Sequence, residues 1–113
     1  MRIYLAGPMR GMKDHNFPAF HFAAAKLREQ GYEVFSPAEK GEEVGFIKDP
    51  ALQHDLSFRR LVFHLDLSWI CQHADCVALL PGWERSKGAV AERAAAEAVG
   101  LTVMELGTEY SNG

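Results

Sequence analysis

Short apolar runs alternate along this chain with longer stretches whose apolar residues recur at three- and four-residue spacing. Ile3-Tyr4-Leu5-Ala6 is one such run, ended by Gly7-Pro8. It predicts a buried strand beginning at residue 2 and emptying into a loop over Met9 to Asn16. Asn16 is placed to cap a helix with Pro18 near its first turn, where a missing N–H costs little. Phe20, Ala23, Ala24 and Leu27 continue at helical spacing until Gly31 stops them. Tyr32-Glu33-Val34-Phe35 alternates into Ser36-Pro37 as a second strand. Residues 38–54 show no period, and Gly41, Gly45 and Pro50 mark them as a loop. From Asp55 to His73 the spacing is helical again, with Leu61, Leu65 and Ile70 on one face. Cys76-Val77-Ala78-Leu79-Leu80 reads as a third strand, buried on both sides and closed by Pro81-Gly82. Ser86 caps an alanine-rich helix through Val99, Gly100 ends it, and Leu101 to Met104 form a fourth strand.

Strands separated by helices and short turns predict a parallel sheet covered on both faces. The expected fold is a flavodoxin- or Rossmann-like α/β three-layer sandwich with four to five parallel strands. Residues 1–106 read as one domain and residues 107–113 as a polar tail. Ligands of such sheets bind outside the carboxyl ends of the strands, where strand order reverses. That rule singles out two loops, Gly7 to Asn16 after the first strand and Pro81 to Gly88 after the third.

Composition sharpens this in a few places. With 48% hydrophobic and 24% charged residues in a chain of 113, a single packed domain is expected, and disorder is excluded. A net charge of −3 argues against a nucleic-acid polymer as partner, since such affinity needs clustered Lys and Arg, but leaves room for a small anion. Cys71 and Cys76 make no disulfide scaffold and point to reduced thiols in a cytoplasmic protein. No apolar stretch approaches the roughly 20 residues that span a bilayer, and the N-terminus lacks a signal-peptide pattern. Five histidines without HExxH spacing, and no CxxC pair, make a metal site unexpected.

The candidate chemistry lies in PGWERSKGAVAE. Ser86 and Gly88 stand where a helix begins, so free N–H groups and the helix dipole face the strand ends. Arg85 and Lys87 add positive charge there, and Arg10 does so from the first loop. Together they favour a phosphate, although GxGxxG and GxxxxGK[ST] patterns are absent. Glu92 lies about one and a half turns into the helix among alanines, and Asp66 sits beside a face formed by Leu65, Trp69 and Ile70. Tyr4 alone reads as a core tyrosine. Trp83 has three equal readings: stacking on a base, closing the pocket, or packing.

IYLAGPMRG, the Asp66 helix, ADCVALLPGW and the S-x-G-x-x-x-E spacing resemble the nucleoside 2-deoxyribosyltransferase-like superfamily. The nearest likeness is to its short bacterial and phage members and the nucleoside-monophosphate N-glycosidases, over residues 3–104. The resemblance implies cleavage of an N-glycosidic bond without a cofactor. By it, Glu92 matches the nucleophilic carboxylate, Tyr4 the tyrosine orienting it, and Asp66 the acid that assists the departing base. Gly7 matches the glycine closing strand 1, with Pro8, Met9 and Arg10 beside the ligand. The helix field is expected to keep Glu92 ionised. The resemblance also separates substrates at Ser86, where transferases of free nucleosides tend to carry Asp. A serine there, followed by Gly88, favours a nucleoside 5′-monophosphate. Transfer between bases, or non-catalytic nucleotide sensing, remain the alternatives. Relatives form dimers or larger assemblies, and so short a chain leaves little to roof a site. Residues 38–54 or a partner subunit of a homodimer are expected to close it.

Overall fold

The computed structural model describes residues 1–43 and 54–111. Four parallel strands, β1 (Arg2–Ala6), β2 (Glu33–Phe35), β3 (Cys76–Leu79) and β4 (Thr102–Glu105), pair in the order β2-β1-β3-β4. The helices between them are α1 (Phe17–Glu29), α2 (Pro37–Glu43), α3 (Leu56–His73) and α4 (Lys87–Val99). Ile3 and Leu5 of β1, with Cys76 and Ala78 of β3, pack against Phe20, Ala23 and Leu27 of α1. The alternate residues Tyr4, Ala6, Val77 and Leu79 pack on the other face against Ile70 of α3 and Ala89 and Ala96 of α4. Central strands covered on both faces need apolar side chains at every position, hence the unbroken runs in β1 and β3. This is the three-layer α/β architecture of the flavodoxin kind.

The chain leaves β1 toward β2 on one side and returns to β3 on the other, so the strand order reverses between β1 and β3. Tyr4 pairs with Val77 and Ala6 with Leu79, which brings the loops after both strands to one edge. Gly7 is required there by close approach. A Cβ at that position would lie 2.8 Å from Cβ of Leu80.

Four local expectations are corrected. Residues 37–43 form α2 rather than loop: Pro37 starts it, and the Ser36 carbonyl accepts from the amides of Glu39 and Lys40. Seven residues are too few to show a helical period. The rest of the expected loop, 44–53, lies outside the described residues. Leu61 and Leu65 are 52% and 37% exposed, because α3 buries only Asp66 and Ile70 among its residues. Asn16 is left-handed (φ 60°) and makes no cap. Its Nδ2 instead donates to the Pro8 carbonyl at 2.9 Å, tying the first loop to the start of α1. Finally, within the expected polar tail, of which residues 107–111 are described, Tyr110 packs on the α1 face of the core, and its hydroxyl meets Gln30.

Among the described residues, no helix is long and apolar enough to cross a membrane.

Candidate active site

A cavity of about 650 Å³ opens at the carboxyl edge of the sheet, where the strand order reverses. Its floor is built by alternation in β1 and by helical phase in α3 and α4. Tyr4 points to the face that carries α3 and α4, and its hydroxyl donates to Oε2 of Glu92 at 2.6 Å, 88 residues away in the chain. Glu92 is 6% exposed and Asp66 5%, so both carboxyl groups are turned inward. The Tyr4 ring is held by neighbours: it stacks on Phe35 at 5.4 Å, and Trp69 leans on both at 6.4 and 5.0 Å. Such ring pairs each add about 0.5–1.5 kcal/mol beyond area burial, enough to fix where the hydroxyl points.

Burial dominates the electrostatics. It pushes Glu92 up to about 8, against the Tyr4 hydrogen bond, with Asp66 raising it further. It pushes Asp66 up to about 7, while Tyr4 and the positive charge of Lys40 pull the other way. Tyr4 itself is raised, first by burial and then by both carboxyl groups. The expectation that the helix field keeps Glu92 ionised is therefore corrected. Glu92 lies deeper than the first turn of α4, where the dipole acts, and loses more to desolvation than it gains. Tyr4 has one hydroxyl proton, and it goes to Glu92; among the described residues, Oδ1 of Asp66 is buried without a hydrogen-bond partner. No described residue compensates that oxygen, which suits it to a ligand.

The cavity wall is the start of α4. Ser86 caps the helix, its Oγ accepting from the Ala89 amide at 3.1 Å. Above Gly88 the space is open: an added Cβ would meet nothing closer than Oγ of Ser86 at 3.9 Å. Lys87, at the first helical position, also lines the cavity. Gly82, left-handed at φ 86°, lets Arg85 fold back. A Cβ at Gly82 would lie 2.8 Å from the Arg85 guanidinium and near Pro8. The opposite lip carries Gly7, Pro8, Met9 and Arg10.

Of the residues singled out in the sequence, Tyr4, Gly7, Pro8, Met9, Arg10, Asp66, Ser86, Lys87, Gly88 and Glu92 thus converge on one cavity. Trp83 does not line it. Its indole N–H donates to Glu105 at 3.0 Å, its ring lies under Arg93 at 5.0 Å, and it packs on the α4 face of the core. Of its three readings, packing is the one the structure adopts. Missed altogether were Arg59, Arg60 and Phe63 of α3, which line the cavity on the Asp66 side. A trace of them was present: α3 has no acidic residue in its first turn and instead places two arginines just beyond it, against the helix dipole.

In this α/β protein a buried carboxyl pair thus lies beneath the start of α4, at the switch point of a parallel sheet. The chain is a member of the family described as Domain of unknown function (DUF4406), whose model matches residues 1–105. No curated protein matches it.

Proposed function

We propose that this protein is an N-glycosidase that hydrolyses a (deoxy)nucleoside 5′-monophosphate to free base and sugar 5-phosphate. The reading rests on the resemblance to the nucleoside 2-deoxyribosyltransferase-like superfamily. The observation that carries it is the buried Tyr4–Glu92 hydrogen bond of 2.6 Å, with Asp66 beside it on the floor of a cavity rimmed by Ser86 and Gly88. The reactive state holds one proton between the two carboxyl groups. The Tyr4 hydroxyl, donated to Glu92, favours the anion there, but burial holds the proton more tightly on Glu92 (about 8) than on Asp66 (about 7), so bound substrate has to move that proton to Asp66 before the first step.

In the first step a Glu92 carboxylate oxygen bonds to the anomeric carbon while the N-glycosidic bond breaks. The bonding electron pair leaves with the base, which takes the Asp66 proton. In the second step, water activated by the Asp66 carboxylate attacks the same carbon, releases Glu92, and returns a proton to Asp66. Buried carboxyl groups raised toward neutrality suit this exchange near pH 7. The 5′-phosphate is received by the Ser86 hydroxyl, the open backbone at Gly88 and the Lys87 ammonium.

The experiment is incubation with a panel of nucleoside 5′-monophosphates while free base is followed by chromatography. Base and sugar phosphate should appear in equal amounts. New nucleotide on adding a second base would replace hydrolysis with transfer, and tight binding without base release would replace both with a binding module.

A further inference from the structure

We propose that Arg59, which lines the cavity together with Arg10, forms a second anion subsite, so that the cavity takes a nucleoside 5′-diphosphate as well as the monophosphate and binds it more tightly. This inference rests on the functional reading above and extends its substrate class.

The argument begins from charge. Five cationic side chains line the cavity, Arg10, Arg59, Arg60, Arg85 and Lys87, against two carboxyl groups, Asp66 and Glu92. In a chain of net charge −3 this is a strong local excess. Elsewhere, arginines are matched: Arg2 with Glu33, Arg28 with Glu39 and Arg93 with Glu97. Among the described residues, none of the five cavity cations has an acidic partner.

Placement divides the five into two groups. Ser86, Lys87 and Gly88 form one receptor at the start of α4, sufficient for a single phosphate. Arg10 and Arg59 come from different elements, the loop after β1 and the second turn of α3. They nevertheless stand close enough that Arg59, after partial burial, lowers the proton affinity of Arg10. Like charges from separate elements repel, and among the described residues no acidic side chain pairs with either of them. An anion between them removes the repulsion and makes two charge-assisted hydrogen-bond sets. Arg59 also stands seven residues from Asp66, about 10 Å along the helix. Its backbone therefore stands well away from the Asp66 carboxyl, which suits a phosphate rather than the reacting sugar.

The test is calorimetric titration of the Glu92→Gln protein, in which turnover is blocked. The probes are the 5′-mono- and 5′-diphosphates of the common nucleosides, and inorganic pyrophosphate. The diphosphates should bind about tenfold more tightly than the monophosphates, as charge-assisted hydrogen bonds at an open site supply. Arg59→Gln should bring that ratio to within about twofold, and Arg59→Lys should keep most of it. Equal affinity for the two nucleotide series in the intact cavity overturns the inference, as does a ratio that Arg59→Gln leaves unchanged. Pyrophosphate binding as tightly as the diphosphates overturns it too, since the nucleoside would then contribute nothing. Base release by the native protein is read separately. Loss of the diphosphate preference with base release intact sinks this inference alone, whereas a diphosphate preference without base release sinks the catalytic reading alone.

Discussion

Replacing Glu92 by glutamine should make the protein more stable, and increasingly so as pH rises. Burial lifts this carboxyl from 4.5 to about 8. At about 1.4 kcal/mol per unit, that difference amounts to about 5 kcal/mol held against ionisation in the folded state. The sign follows from linkage. A carboxyl group raised on folding binds its proton more tightly in the native state, so its contribution is favourable below about pH 4.5. It is lost progressively as pH climbs through about 8. Integrated between pH 5 and pH 8, the loss is about 4 kcal/mol, and relaxation around the charge halves it to about 2 kcal/mol. Glutamine does not titrate, and its amide oxygen still accepts the Tyr4 hydroxyl. Urea unfolding at pH 5, 6.5 and 8 reads the effect as a midpoint difference at constant m-value. Variant and native protein should differ little at pH 5 and by about 2 kcal/mol at pH 8. Parallel stability curves across that range would refute the claim that Glu92 is forced to ionise in a desolvated place.

Other outcomes follow from the same geometry. Gly7→Ala should destabilise by about 1–3 kcal/mol in thermal unfolding, because its Cβ would meet Leu80 at 2.8 Å. A midpoint equal to the native protein's would show that the β1 and β3 ends can separate freely. Ser86→Asp should keep the cap on the Ala89 amide and hence the stability, since Asp and Ser cap equally well, while its charge repels the 5′-phosphate. Nucleotide affinity undiminished by Ser86→Asp, measured calorimetrically, would remove the phosphate from the start of α4. The pH–rate profile of base release should be a bell with limbs near 7 and 8, belonging to the Asp66–Glu92 pair jointly. Asp66→Asn should lower the rate about a hundredfold or more by removing the proton donor, and with it the alkaline limb; a profile unchanged in that variant would exclude Asp66 as the proton donor.

Much of the fold is legible in the order of residues because its signals are local. The buried runs of β1 and β3, Ser86 before α4 and Gly100 after it are each visible within a few positions. What escaped is decided by contacts distant in sequence. Leu61 and Leu65 carry the apolar spacing of a core face, yet α3 turns Asp66 inward instead, a local disagreement characteristic of a functional position. Nothing near Tyr4 announces a partner 88 residues on; only the family likeness linked it to Glu92. The ionisation of Glu92 was misjudged because a helix dipole is local and visible, whereas burial is a property of the whole fold. Arg59 and Arg60 belong to no motif, and only the fold brings α3 to the cavity that the loop holding Arg10 also lines.

The claim that Glu92 is the nucleophile meets its most direct test in the single-turnover rate of base release from a nucleoside 5′-monophosphate by native protein and Glu92→Gln. Removal of a nucleophile, with the cavity and the Tyr4 contact preserved, should slow that rate by about a thousandfold or more. A rate within tenfold of the native value would mean that another group, or water alone, attacks the sugar.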